Sequence, residues 1–584
     1  MAISDRASSE GRDLLWVVDD VPSTRLPIYT RGNTGEVYPN VITPLCGSVV
    51  KGPIARGQEQ VFLELGAVVP SDLTEQDCAV MTGCFGGYLY ANLSVGRLLA
   101  VRSPGVKPED ADTQMWGTND APPYRRQRGD RNALATLRLT RFMTRTLRGP
   151  DFGWLRDERD EVLAWAASRP SPASASTADL FATVEQGAAW FAPLMRSLVL
   201  ASAYGGGAAA VVERLAAKAN IEVRSRMAVG VGDVDSAGPA AALWGLAQIV
   251  NARPALAAAF DGGPPIAPRV DALGEEAGPF RTALDDFLAR YGARGPDEWE
   301  LASPTWGTDP GIALAAVERI RHSDAPDPAT VHVRLARERR EAIESAAASV
   351  PRPVRRLFRR AIRSVASGAA GRELAKGTIM EAGYAVRLAL SELVRRAQEN
   401  GAPDDRRDCW LVTIDELPAF IDRPDDLAGV IAERRERRDY LQARVPPFVF
   451  EGTVPDPATW ELRDASRPAG AVAAAAGAQL KGIPVSPGVA RGPARIVRDP
   501  SDPAVLQPGD VLVAPITDPA WTPLFLVASA VVVEVGANLS HAAIVARELG
   551  IPAVVSVEHA TDRLPDGTVV EVDGTRGTVT VTAN

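Results

Sequence analysis

The spacing of apolar residues changes once along this chain, across Ala465-Ser466-Arg467-Pro468-Ala469-Gly470 and the alanine- and glycine-rich residues 471–477. Upstream, apolar side chains recur every three to four residues, the period of a helix buried along one face. Downstream they come in short runs bounded by glycine, proline and aspartate, which is how strands are punctuated. The expected fold is therefore mixed α and β. A largely helical body spans residues 1–464, a flexible linker 465–480, and a compact α/β domain 481–584. Fully extended at roughly 3.5 Å per residue, the 13 residues 465–477 reach up to about 45 Å, enough to carry a small domain between separate sites.

With 584 residues the chain is too long for one ordinary core, and two to four domains are expected. Helices are predicted over 240–251, where Pro239 suits the first turn, and over 280–291, 311–321 and 382–400, the last stopped by Gly401. Residues 168–177 read as a polar loop, and the first 130 residues as irregular, with short apolar runs such as 61–65. After the linker come a strand (510–514), a helix (523–529), a strand (530–535), a helix (541–549), a strand (551–557) and a closing hairpin (567–573 with 577–581).

Composition narrows the class. The chain is 46% hydrophobic and 23% charged, and its formal charge of -9 argues against general nucleic-acid binding. Residues 1–13 are polar and mixed in charge, unlike a signal or transit peptide. No run of about 18 uninterrupted apolar residues occurs, so no membrane span is expected. Cys46, Cys78, Cys84 and Cys409 show neither CxxC pairing nor zinc spacing, which fits buried thiols in a cytoplasmic protein, and no metal cluster is expected.

Among the four histidines, His541 stands apart. It follows a buried strand and a Gly/Asn/Ser loop and opens an amphipathic helix, where free backbone N–H groups and a partial positive charge favour an anion. The same field keeps imidazole neutral and nucleophilic. By position alone a cap-adjacent surface residue fits equally well. Ser540 can cap the helix, and Ser540, Asn538 and Arg547 are the candidates for positioning a phosphate.

Four motifs in order resemble the phosphohistidine swivelling domain of phosphoenolpyruvate synthase, pyruvate phosphate dikinase and rifampin phosphotransferase. They are Gly482-Ile483-Pro484-Val485-Ser486-Pro487-Gly488, Asp518-Pro519-Ala520-Trp521-Thr522-Pro523-Leu524, Leu539-Ser540-His541-Ala542-Ala543, and the stretch from Ala546 to Val555. One departure is Gly536-Ala537, where the family often has two glycines. The body resembles the rifampin phosphotransferase branch at Asn33-Thr34-Gly35-Glu36-Val37-Tyr38-Pro39, Thr43-Pro44-Leu45, Tyr90-Ala91-Asn92-Leu93, 287–298 and Asp415-Glu416-Leu417. The resemblance implies that His541 accepts a phosphoryl group from ATP and delivers it to an acceptor.

Those enzymes begin with an ATP-grasp region that these residues leave no room for. Gly205-Gly206-Gly207 lacks the Gly-Lys-Ser/Thr of a P-loop and reads as a helix break or a tight packing point; Gly230-Val231-Gly232 is equally weak. As in phenylphosphate synthase, whose phosphohistidine chain works with a separate ATP-binding subunit, the expectation is a dikinase-type component. ATP and Mg²⁺ would belong to an ATP-grasp partner, and the acceptor would be a hydroxyl-bearing small molecule. Two other classes stay open: a phosphocarrier or regulatory binding protein without its own acceptor, and a lyase-like enzyme reusing the body for ligand binding.

Further candidates lie in the body. Arg294 and Glu298 are either a phosphate or substrate clamp or a pair bracing their loop. Arg372 and Lys376, four apart on a helix with Glu373, either stabilise the transferring phosphoryl group or form a solvated face. Glu36 and Asp415-Glu416 are possible general bases. The stripe Arg352, Arg355, Arg356, Arg359, Arg360 and Arg363 reads as a solvated face, and His322, His332 and His559 as structural or exposed.

Overall fold

The computed structural model describes residues 15–75, 78–109, 112, 121–147, 149, 152–215, 238–323, 326–463, 474–498, 506–517, 521–536 and 540–582. The body opens with β1 (Ile28–Thr30), the single turn α1 (Thr34–Val37), α2 (Pro44–Leu65), β2 (Thr82–Phe85) and β3 (Tyr88–Asn92). Thr43 caps α2 by accepting the Cys46 N–H, and Pro44 stands in the first turn, where no donor is needed. The start of the chain is thus more regular than expected: residues 61–65 end a 22-residue helix that contains Pro53. Its glycines resemble punctuation but mark close approaches. A Cβ at Gly57 would lie 2.2 Å from the Ala192 carbonyl oxygen.

Next come α3 (Thr177–Leu215), α4 (Gly238–Asn251), α5 (Gly278–Tyr291), α6 (Pro310–Arg321), α7 (Pro328–Ser349) and α8 (Arg355–Glu399). Helices α3 and α8 pack along one another, and they cross at glycines: a Cβ on Gly368 would fall 2.5 Å from Gly205 Cα. Gly205-Gly206-Gly207 is therefore the tight packing point of the two alternatives, inside an unbroken helix. Helix α8 begins at Arg355 rather than at 382, and Gly368 and Gly371 are buried contacts within it. Among the described residues α3 is long and apolar enough, by length and composition, to cross a membrane. Here it packs against α2 and α8.

Strand β4 (Val449–Glu451) completes an antiparallel sheet of order β2-β3-β1-β4. The main core lies between this sheet and α2, α3 and α8, with Tyr29, Phe85, Leu390, Trp410 and Phe420. A second core joins α4, α5 and α6 through Leu243, Phe280, Phe287, Trp306 and Val317.

The C-terminal domain holds β5 (Gln479–Lys481), β6 (Ile483–Ser486), β7 (Val489–Ile496), β8 (Val511–Ala514), α9 (Thr522–Phe525), β9 (Ala530–Val533), α10 (His541–Leu549), β10 (Ala553–Val555), β11 (Val569–Asp573) and β12 (Thr578–Val581). These strands form one sheet of order β5-β12-β11-β7-β8-β9-β10-β6, with β7, β8, β9 and β10 mutually parallel. The mixed α and β fold class read from the sequence is the one observed. The helix expected over 523–529 is only one turn long, because Leu526 leaves it to enter the core of α4–α6. Of the expected linker, residues 465–473 lie outside the described residues, and β5 begins at Gln479.

Candidate functional site

His541 sits where β9 hands over to α10, at the C-terminal ends of the parallel strands and close to the charged groups of the body. Ser540 is the N-cap, its backbone extended (φ -67°, ψ 162°) and its Oγ accepting the Ala543 N–H at 3.4 Å. Gly550 ends the helix in the left-handed region (φ 67°), which suits glycine. Ala542, Ala543 and Ala546 are buried, and their small side chains let α10 lie close on the sheet. The loop before the cap is tight: a Cβ at Gly536 would meet Val555 Cβ at 3.0 Å and Ser540 Oγ at 3.1 Å. Asn538 lies outside the described residues.

The imidazole is flanked by two hydroxyls. Nδ1 is 3.4 Å from Thr517 Oγ1 and Nε2 is 3.5 Å from Thr522 Oγ1. A hydroxyl can donate to the bare nitrogen and accept from the protonated one, so the pair suits either tautomer. Phe525 meets the ring edge-on, with centroids 6.1 Å apart. Burial moves the His541 pKa well below its ordinary value; Lys376, Arg294 and Arg372 push the same way, and Glu298 opposes them. The ring is neutral at physiological pH, as a nucleophile must be.

Four body residues named from the sequence converge here from two elements. Arg294 and Glu298 lie on the loop after α5, joined by Nε to Oε2 at 2.6 Å and Nη2 to Oε1 at 3.3 Å. Lys376 of α8 completes the group, with Nζ 3.0 Å from Glu298 Oε1. Burial raises the Glu298 pKa, but Arg294 and Lys376 outweigh it and bring the carboxyl down to about 2. Arg372 lies one turn earlier on α8 and donates Nη1 to Glu373 at 2.8 Å. On α1, Glu36 is half-buried; burial lifts its pKa to about 7, against the opposing pull of the His541 backbone, Arg372 and Lys376.

The loop carrying Arg294 and Glu298 is fastened at both ends. Arg387 of α8, itself buried, donates to the carbonyl oxygens of Glu298 (2.8 Å), Glu300 (3.0 Å) and Leu301 (3.2 Å). Glu300 in turn accepts the Thr43 N–H and hydroxyl at the start of α2, at 3.1 and 2.8 Å.

Other named residues lie elsewhere or do other work. Arg547, six residues along α10, donates Nε to the Val485 carbonyl at 2.6 Å and ties the helix to β6; burial lowers its pKa to about 10. Glu416 is gripped by Arg434 at 2.6 and 2.8 Å and accepts the Thr413 N–H, which makes it a brace for its own turn. Arg352, Arg356, Arg360 and Arg363 are exposed, and Arg359 pairs with Glu344 at 2.8 Å. His322 and His332 are well exposed, and His559 opens a short turn on the surface. The four cysteines are free thiols, three of them buried. Among the described residues one acidic and histidine cluster has metal-like spacing, Asp261 with Glu318 and His322, but Arg321 already bridges its two carboxylates. The two threonines beside His541 were not singled out from the sequence, although Thr522 lies inside a quoted motif.

Residues 506–577 match the mobile domain of PEP-utilising enzymes, and residues 193–373 match the rifampicin phosphotransferase fourth domain. Both matches are consistent with the PEP-utilising swivelling-domain family. The second match ends within the turn of α8 that carries Arg372, so the two matched regions face each other across the site. The chain is similar to an uncharacterised protein of Mycobacterium tuberculosis, 37% identical over 54% of this chain and 33% of the relative. It is also similar to the uncharacterised phosphotransferase YvkC of Bacillus subtilis, 32% identical over 58% of this chain and 41% of the relative. A third similar protein is the rifampicin phosphotransferase of Bacillus subtilis, 29% identical over 52% of this chain and 34% of the relative. The chain thus spans well under half the length of these relatives.

Proposed function

We propose that this chain carries a phosphoryl group on His541 and passes it to a hydroxyl-bearing small molecule held at the body. The observation that supports this most is the placing of a neutral, partly buried imidazole against Arg294, Arg372 and Lys376. A transferring phosphoryl group spreads negative charge over its equatorial oxygens, and pre-placed cations lower the barrier most where water is excluded. In this reading Thr517 and Thr522 orient the ring, Ser540 fixes the helix start, and Glu298 holds Arg294 and Lys376 in place. Two in-line displacements replace one difficult transfer.

The phosphoryl source in this proposal is ATP on a separate ATP-grasp partner, which also holds the Mg²⁺. The sum is ATP, water and acceptor giving phosphorylated acceptor, AMP and phosphate. The described residues fit a nucleotide poorly: Gly205-Gly206-Gly207 lies within α3, where backbone N–H groups are engaged in the helix and cannot cradle phosphates. Labelling with β-³²P-ATP tests the scheme. Acid-labile label is expected on this chain only with the ATP-grasp protein present, and none on His541→Ala. Label acquired by the chain alone overturns the two-component scheme. Label that no alcohol or phenol discharges favours a phosphocarrier instead.

A further inference from the structure

We propose that Leu526 seats the C-terminal domain on the body and thereby sets where His541 meets it. The consequence for phosphoryl transfer rests on the carrier reading of His541; the seating itself does not. Between residues 521 and 528, Trp521, Leu524, Phe525, Val527 and Ala528 fill a core of the C-terminal domain. Leu526 turns the other way and is buried, 7% exposed, in the core of α4–α6. Its carbonyl oxygen accepts the Ser323 hydroxyl at 3.1 Å, just past the end of α6. A domain that parted from the body would leave this leucine in water, so apolar burial favours the seated state.

The knob and the histidine share one short turn. Thr522, which opens α9, has its Oγ1 3.5 Å from His541 Nε2, and Phe525, which closes it, meets the ring edge-on. Leu526 is the next residue. A shift of Leu526 in its socket therefore carries with it two of the side chains that flank the ring. The far end of α10 is tied to the same place, because Leu549 packs against both cores.

Beside the knob the seam opens into a cavity of about 200 Å³. It is lined by Ser323, Pro328 and Val331 of the body and by Gly509, Ser529 and Ile551 of the C-terminal domain. Side chains facing such a gap forgo dispersion contact across it. Adhesion on this side of the seam accordingly concentrates on Leu526. That makes it a positioning residue, acting through the placing of His541 rather than on the phosphoryl group.

Two measurements on the full chain test this. The first compares acylation of His541 by diethyl pyrocarbonate with that of His559, an exposed histidine of the same domain. At about pH 8 imidazole is neutral whether the domain is seated or parted, so the ratio reports access alone. Leu526→Asp places a charge in an apolar core and should raise the His541 rate about 10-fold or more relative to His559. Hydrogen exchange should rise along α6 while β7–β9 keep their protection. Ser323→Arg crowds the seam from the body and leaves the C-terminal domain unaltered. It should act in the same way, and it covers the case in which Leu526→Asp disturbs the domain's own fold. A wild-type rate ratio in both variants overturns the seating.

In the second measurement His541 is phosphorylated with potassium phosphoramidate and loss of the phosphoryl group to water is followed. Leu526→Asp should slow discharge at least as much as Lys376→Met does. The double variant should be no slower, since a parted histidine no longer meets Lys376. Losses that add in the double variant overturn the positioning role. Raised access to His541 with unchanged discharge upholds the seating and overturns the carrier reading instead.

Discussion

Lys376 Nζ lies 3.0 Å from Glu298 Oε1, and that contact joins the middle of α8 to a loop nearly eighty residues away in sequence. Glu298 has no exposed side-chain surface, so removing Lys376 leaves its buried charge with Arg294 as the remaining partner. Lys376→Met is expected to destabilise the chain by about 1.5–3 kcal/mol, and by less in a Glu298→Gln background, where the pair is already lost. Urea denaturation of the four chains of this double-mutant cycle measures it. Discharge of phosphohistidine should slow about 10²–10³-fold in the single variant, on the scale of losing one pre-placed electrostatic contact.

Acid sensitivity follows from the same carboxyl. Its folded pKa is about 2 against an ordinary value of 4.5, so the folded state binds fewer protons between those limits. The stabilisation is fully present above about pH 4.5 and is lost as pH falls towards 2. Glu298→Gln should show a flatter decline in melting temperature across that window than wild type.

Two glycines near the crossing of α8 and α3 predict opposite outcomes. Gly368→Ala puts a methyl group 2.5 Å from Gly205 Cα, against backbone that cannot swing aside, and should cost about 1–3 kcal/mol. Gly206 of α3 has nothing within 4 Å of its would-be Cβ, so Gly206→Ala should stabilise by about 0.5–1 kcal/mol. Thermal denaturation of both variants decides whether the crossing is as close as described.

The contact of α10 with α7 is also open to test. Glu548 is buried, with His332 Nδ1 3.8 Å away and Arg339 acting on it. Glu548→Ala should raise hydrogen exchange along α7 and α10 while leaving β7–β9 unchanged, since those strands lie in the sheet core.

The carrier helix was legible because every local signal agrees: a buried strand, a short loop, a serine cap, an amphipathic face and a terminal glycine mark residues 541–549, the span of α10. The Arg294–Glu298 pair was one of the two readings the sequence offered for those residues, but the partner of Lys376 was not legible. Local spacing pointed to partners one turn away, and Lys376 instead found its partner across the fold. Thr517 and Thr522 escaped because a hydroxyl carries no signature until strand ends converge on a ring. The glycines of α2 and α8 misled because close helix packing and chain breaks look alike in one dimension.

Arg387 fixes the body's side of the site in advance. By hanging the Glu298 loop from the helix that bears Arg372 and Lys376, it makes the landing ground for a phosphoryl group a finished piece of masonry. Spacing among the cations is settled once, when the chain folds, and need not be rebuilt at each visit of the histidine. In the proposed carrier scheme this leaves the histidine as the part to be brought into place.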